Sequence, residues 1–314
     1  MDRNLALEFV RVTEAAAIAA AAWVGRGDKH RADGAAVDAM RSRLNQIDFK
    51  GTIVIGEGSK DEAPELYNGE KLGTGRGPVM DLAVDPLEAT DSVAYGRSNS
   101  ISVIAAGPKG SLLRGPDTYF DKIAAGPAAA QVIDMEAPVK VNIAKVAKAL
   151  GKDKRELTVV VLDRERHKPL IEKIRRTGAK VKIITDGDLA GAIATCEPNS
   201  GIDLLMGIGA SAEGVLAAVA MKILGGEILC RFMPRNESDV KAIKRMGVRN
   251  VNKVFRARDL AKGNTLTFTA TGILEGPMLR GIVFEPSGKV ITHSIVMRGE
   301  SGTIRYITTH HHNY

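Results

Sequence analysis

A chain of 314 residues, 44% hydrophobic and 26% charged, holds enough apolar material for one large domain or two modest ones with proper cores. Aromatic residues make up only 4%, too few for the stacking platforms that hold single-stranded nucleic acid. The net charge of +7 favours anionic partners; the basic residues are interleaved with acidic ones, so a small polyphosphorylated molecule fits as well as DNA, and no helix-turn-helix or zinc spacing supports DNA.

The two cysteines, Cys196 and Cys230, form no CxxC or Cys/His zinc pattern. They read as reduced, buried thiols of a cytoplasmic protein. Asp2, Glu8 and Glu14 interrupt any signal-peptide core, and residues 15–22 are too short and too weakly apolar to span a membrane.

Residues 5–24 read as an Ala-rich helix with apolar positions at helical spacing, stopped by Gly25-Arg26-Gly27. Asp28 caps a second helix running to about residue 47, on which Lys29, Asp33 and Val37 fall on successive turns of one side. The β-branched run 52–55 is a buried strand. It enters a loop, Gly56-Glu57-Gly58, that carries Asp61 and Glu62 shortly after.

Residues 79–84 form the next strand, and it leads into Asp85-Pro86-Leu87-Glu88-Ala89-Thr90. Pro86 fixes its own φ and biases Asp85 away from the helical region, so the strand is expected to stop at Asp85. Glu88 lies in the turn. Thr90 falls near the start of the following helix, where its hydroxyl and neighbouring N–H groups could face an anion. Two hard oxygen donors beside an anion site suit a divalent cation that carries a phosphate. An acidic surface turn would have the same composition.

A strand at 100–105 follows, then an ambiguous stretch at 112–123 and a helix at 138–150 ended by Gly151. The 151–154 stretch is the expected boundary between halves 1–150 and 151–314 of one two-part unit. Beyond it, strands at 157–162, 179–185 and 202–206 alternate with helices at 169–176, 189–196 and 212–224, which argues for a parallel sheet with crossover helices. Such sheets bind ligands at the carboxyl ends of their strands. Those ends carry Asp163-Arg164-Glu165-Arg166-His167, Asp186-Gly187-Asp188 and Gly207–Glu213. A strand, a helix at 237–246 and late strands at 265–271 and 304–308 complete the chain. The run His310-His311-His312 reads as a frayed terminus without a role.

The Gly207/Gly209/Ala212 spacing fits the dinucleotide fingerprint, and a nicotinamide-dependent oxidoreductase is the alternative it raises. Against it, Glu227 falls at the start of a strand rather than the end of one. The motif also comes late in the chain and leaves the acidic clusters unexplained.

Asp85-Pro86-Leu87-Glu88-Ala89-Thr90 resembles the D-P-[IL]-[DE]-G-T signature of the metal-dependent, lithium-sensitive sugar and inositol phosphatases. Val54–Gly58 with Asp61-Glu62-Ala63-Pro64, then Asp186-Gly187-Asp188, then Gly207-Ile208-Gly209 with Glu213-Gly214-Val215, are similar to the class II (GlpX-type) fructose-1,6-bisphosphatases. The resemblance implies an α/β fold, the layered α/β/α/β/α sandwich of sugar phosphatases. It implies Mn²⁺ or Mg²⁺ held by Asp33, Glu57, Asp85, Glu88 and Glu213, with Thr90 and Asp61 as catalytic residues. Substrate contacts would come from Glu88, Ala89, Thr90, Tyr119, Arg164, Glu165, Arg166, Asp186, Gly187, Asp188 and Ala210. The implied reaction removes the 1-phosphate of fructose 1,6-bisphosphate in the cytoplasm, with sedoheptulose 1,7-bisphosphate left open as a second substrate. The implied partner is that small sugar bisphosphate, with neither nucleic acid nor membrane, and the implied assembly a homo-oligomer, dimer or tetramer. Two positions depart from the pattern: Ala89 and Ala210 stand where it has glycine.

Overall fold

The structure, a computed structural model, describes residues 5–56 and 66–312. In chain order it places α1 (Leu5–Ala21), α2 (Lys29–Leu44), β1 (Lys50–Ile55), β2 (Lys71–Leu72), β3 (Val79–Glu88), α3 (Thr90–Ala94), β4 (Ser100–Pro108) and β5 (Tyr119–Ala125). There follow α4 (Val139–Leu150), β6 (Thr158–Leu162), α5 (Lys168–Arg175), β7 (Lys180–Ile184), α6 (Asp188–Ala194), β8 (Leu204–Ala210), α7 (Ser211–Leu224) and β9 (Glu227–Met233). The last elements are α8 (Glu237–Arg245), β10 (Val254–Arg256), α9 (Ala257–Leu260), β11 (Thr267–Leu274), β12 (Val283–Phe284), β13 (Val290–Arg298) and β14 (Thr303–His311).

The chain divides into two compact units: residues up to 113 together with those from 262 onward, and residues 114–261. The 151–154 stretch lies inside the second unit, between α4 and β6.

The first unit is built on a sheet in the order β12-β13-β11-β4-β3-β1-β2, with β14 paired to β13. Among the described residues only β1 and β3 are parallel; the other pairs are antiparallel. The Ala-rich face of α1 lets that helix approach the sheet closely, and α2 packs against β3. Phe9, Val37, Met40, Phe49, Leu82 and Ile104 are fully or almost fully buried between them. Removing such side chains from water is worth about 1.5–3 kcal/mol each. A hydroxyl relay crosses the α1–sheet contact: Thr13 meets Thr271 at 2.8 Å, and Thr271 meets Ser294 at 2.8 Å. The terminal histidines differ from expectation. His310 and His311 belong to β14, and His311 Nε2 lies 3.1 Å from the Thr292 hydroxyl.

The second unit is built on the order β10-β9-β5-β8-β6-β7. The expected parallel arrangement holds for β8, β6 and β7. It fails on the other side, where β5 runs antiparallel to both β8 and β9 and β10 antiparallel to β9. Ile143, Val146, Leu157, Val159, Ile174 and Leu204 form the core under α4 and α5. Two mixed sheets flanked by helices make the chain α/β, consistent with the layered α/β/α/β/α class. Among the described residues, no helix is long and apolar enough to cross a membrane.

Candidate active site

In the first unit the chemistry collects at one edge of the sheet. Because β1 and β3 run parallel, the end of β1 at Ile55 and the acidic end of β3 lie on the same side of the sheet. The strand does not stop at Asp85, as Pro86 led us to expect. Pairing with β4 passes from Asp85 opposite Val103 to Glu88 opposite Ile101 through a register shift. The shift absorbs the proline, which has no N–H to give to the ladder. The Leu87 N–H is turned inward, where Asp85 Oδ1 accepts it at 3.1 Å. Ser100 donates to the Glu88 carbonyl at 2.7 Å, which ties down the far side of the bulge. Asp85 and Glu88 are each only 3% exposed. Two buried carboxylates a bulge apart are costly to ionise without positive charge nearby.

Ala89 then takes the left-handed conformation, φ 69° and ψ 53°, and turns the chain into α3. Thr90 is the first residue of this short helix, as expected, and is half-buried. Its hydroxyl donates back to the Leu87 carbonyl at 3.2 Å. α2 packs against both β3 and α3, and Lys29 Nζ lies 3.7 Å from Asp91 Oδ1. Asp33 stands one turn further along α2 and is half-buried. The other two acids expected here, Glu57 and Asp61, lie outside the described residues. Among the described residues, no three of His, Cys, Asp and Glu are grouped closely enough to hold a metal ion.

In the second unit the register places the carboxyl ends of β6, β7, β8 and β9 and the amino end of β5 along one edge; Tyr119 is opposite both Ala210 and Met233. All the expected residues of this half are on that edge. Arg164 donates to the carbonyls of Asp163 at 3.0 Å and Thr185 at 2.6 Å, and its Nη2 is 3.5 Å from Asp186 Oδ1. Arg166 donates to the Ile208 carbonyl at 2.9 Å and stacks over Tyr119 at 4.9 Å. Glu165 points to solvent and pairs with Lys168 at 2.8 Å. Gly187, at φ 82°, supplies the left-handed turn before α6.

Asp188 is the first residue of α6, and Lys122 Nζ binds both its oxygens, at 3.1 and 2.9 Å. This pair is buried, with 2% and 8% of the side chains exposed. Burial alone would lower the Lys122 pKa, but Asp188 and Glu213 outweigh it and hold the ammonium above its usual range. Glu213, in the first turn of α7, is pushed up to about 7 by burial, partly offset by Lys122. Glu213 Oε2 is buried and accepts no hydrogen bond among the described residues. An ionised carboxylate there calls for a cation, and hard carboxylate oxygens, at Glu213 in this unit and at Asp85 and Glu88 in the first, are the donor type that a divalent ion prefers.

Gly207 and Gly209 also lose their dinucleotide reading. A Cβ on Gly209 would lie 2.0 Å from Asp188 Oδ2 and 2.8 Å from Lys122 Nζ. Gly207 sits at φ 136° with His167 Nε2 3.1 Å from where a Cβ would be. Both glycines make room for side chains of this edge.

Three residues of the edge were given no role from sequence. Lys122 was hidden in an ambiguous stretch. His167 is 1% exposed; its Nε2 accepts from the Ile208 N–H at 2.7 Å, so its Nδ1 carries the proton donated to the Leu162 carbonyl at 2.8 Å. Arg235 lies over the Tyr119 ring at 5.7 Å, so Tyr119 contacts two guanidinium groups. Arg235 is fixed by Asp239 at 2.9 Å and by the Asp117 carbonyl at 2.7 Å. In sequence, Arg235 and Asp239 look like an ordinary i,i+4 surface pair.

Buried carboxylates on one strand edge and braced guanidinium groups on another suit metal-assisted handling of phosphate esters. The sequence matches, over residues 3–311, the family described as bacterial fructose-1,6-bisphosphatase, glpX-encoded, and the chain belongs to that family. It is 47% identical to the class 2 fructose-1,6-bisphosphatase of Haemophilus influenzae, across 99% of this chain and 97% of that protein. It is 45% identical to fructose-1,6-bisphosphatase 1 class 2 of Escherichia coli K12, across 99% of this chain and 96% of that protein.

Proposed function

We propose that the chain is a metal-dependent phosphomonoesterase that removes the 1-phosphate of fructose 1,6-bisphosphate in gluconeogenesis. The observation that carries this reading is the bulged end of β3, where two buried carboxylates, Asp85 and Glu88, directly precede Thr90. Asp33, Glu57, Asp85, Glu88 and Glu213 would hold Mn²⁺ or Mg²⁺. When bound, the ions neutralise the phosphate, lower the pKa of a bound water and stabilise the leaving alkoxide.

Thr90 is suited to orient the attacking water. Its proton is committed to the Leu87 carbonyl, which leaves oxygen lone pairs to accept from water. Asp61 would take the proton that water loses. Ala89, Glu165, Gly187 and Ala210 would contact the substrate through the turns that carry them. Arg166 and Tyr119 would hold the uncleaved phosphate, and Arg164 with Asp186 the sugar beside it. Asp188 would accept from a sugar hydroxyl while Lys122 holds it in place. This divides the work into a metal and phosphate half and a sugar half. We place the enzyme in the cytoplasm as a dimer or tetramer, with sedoheptulose 1,7-bisphosphate as a second candidate substrate.

The test is phosphate release from a panel of sugar bisphosphates, sugar monophosphates and inositol phosphate, with Mn²⁺, with Mg²⁺ and with chelator. Strict metal dependence, preference for fructose 1,6-bisphosphate and loss of turnover in Asp85→Ala are expected. Release that survives chelation, or equal rates on monophosphates, would overturn the reading.

A further inference from the structure

Apart from the strand edge described above, the second unit holds a cavity of about 970 Å³ over the outer part of its sheet. Lys145, Lys148 and Ala149 of α4 line one side of it. Leu229 of β9, Val254 of β10 and Met135 form an apolar floor that includes partly buried side chains. The turn at Asp134, which lines the cavity, is held from behind by Asn142. Asn142 is 1% exposed; it accepts from the Asp134 N–H at 2.8 Å and donates to the carbonyls of Asp134 at 2.8 Å and Ala137 at 3.2 Å.

The charges around this cavity are unevenly satisfied. Each acidic residue is engaged: Glu136 by Arg231 at 2.7 Å, Asp259 by the Arg256 N–H at 2.9 Å, and Asp134 by the Glu136 N–H at 3.0 Å. Arg256 is engaged by Glu227 at 3.1 Å. Lys145 and Lys148 on α4 and Arg258 on α9 line the same space and have no hydrogen-bond or ion-pair partner among the described residues. Three uncompensated cations therefore stand over an apolar floor.

We propose that this cavity binds a small organic anion in which a phosphate-like group is joined to an apolar body. The volume is of the size that takes such ligands. The dianionic head meets the two lysines and the arginine, and the body covers Met135, Leu229 and Val254. A sugar phosphate would leave that floor wet, which separates this ligand class from the substrate of the strand edge.

The experiment is isothermal titration of the full chain with 1-naphthylphosphonate, whose carbon–phosphorus bond a phosphatase does not hydrolyse. One saturable site is expected, with inorganic phosphate alone and 1-naphthol alone each weaker by about tenfold or more. Lys145→Glu with Lys148→Glu, and separately Arg258→Glu, should weaken binding by about tenfold or more. Phosphate release from fructose 1,6-bisphosphate by these variants should be unchanged, which also shows that they fold. Saturating fructose 6-phosphate should not displace the probe. Absence of a saturable site, binding that survives charge reversal, or displacement by fructose 6-phosphate overturns the proposal. So does a change of oligomeric state in the variants by light scattering, which would assign the cavity to a contact between copies.

Discussion

Two alanines that replace glycine in the family pattern sit in opposite backbone states. Ala89 is at φ 69°, where a Cβ meets the neighbouring carbonyl, whereas Ala210 is at φ −66° and ψ 156°, an ordinary extended conformation. The departure at 89 is therefore strained and the one at 210 is not. A single non-glycine residue in this region costs of order 1 kcal/mol. Ala89→Gly is expected to raise the melting temperature by about 2–4 °C with kcat unchanged, because Thr90 stays on the same turn. Ala210→Gly should lower it, since only the unfolded chain gains freedom. Differential scanning calorimetry of the two variants side by side checks both signs. Arg235 makes a different kind of claim. It touches the Tyr119 ring and is held by Asp239, whose carboxyl it pulls down to about 2. Removing it frees Tyr119 on one face. Arg235→Ala should raise KM for the bisphosphate by a few-fold to about tenfold, the worth of a partly exposed cation–π contact, with little change in kcat. A fall in kcat with constant KM would refute this role.

At the scale of elements, much of the architecture was readable, and the misreadings have definite physical causes. The alternation after residue 157 gave β6, α5, β7, α6, β8 and α7 to within a few residues, because each pairs a β-branched run with a helical one. β5 was missed because Asp121 and Lys122 interrupt its apolar pattern. Lys122 is tolerated mid-strand because Asp188, 66 residues away, and Glu213 support its charge, and no local pattern reveals such partners. The end of β3 was misjudged because a bulge accommodated Pro86 and let pairing continue to Glu88. The carboxylates there were legible from spacing, whereas the bracing residues Lys122, His167 and Arg235 needed three-dimensional neighbours to be recognised. His167 links the carbonyl end of β6 to the backbone of β8 as a neutral ring, and burial lowers its pKa. Below the unfolded value of about 6.5 the unfolded chain therefore binds more protons than the folded one. This contribution to stability is fully present above pH 6.5 and shrinks as the pH falls below it toward the folded pKa. Chemical denaturation between pH 8 and pH 5 should show that decline. His167→Gln should be less stable at pH 8 and should lose part of the slope; a slope identical to that of the native chain would mean that His167 does not report on this linkage.

For the whole molecule, the governing quantity is the net charge of +7. Many of its cations are spent in ion pairs such as Arg41–Glu70 and Arg256–Glu227. What remains attracts a small, highly charged anion at long range. A sugar bisphosphate carries two phosphates of about −1.5 to −2 charges each at pH 7, so its encounter with the protein is steered electrostatically. Such steering is screened once the Debye length falls to about 10 Å at 0.1 M salt. The contacts proposed inside the site, between Arg166 and a phosphate or between Thr90 and a water, would be short and would feel that screening less. KM for fructose 1,6-bisphosphate is therefore expected to rise as potassium chloride is increased from about 10 to 200 mM at fixed free Mn²⁺, while kcat stays nearly constant. A singly phosphorylated sugar, where it is turned over at all, should show a shallower rise. Steady-state kinetics across the salt series separates the two: a kcat that falls with KM constant would place the salt-sensitive step in the chemistry rather than in capture of the substrate.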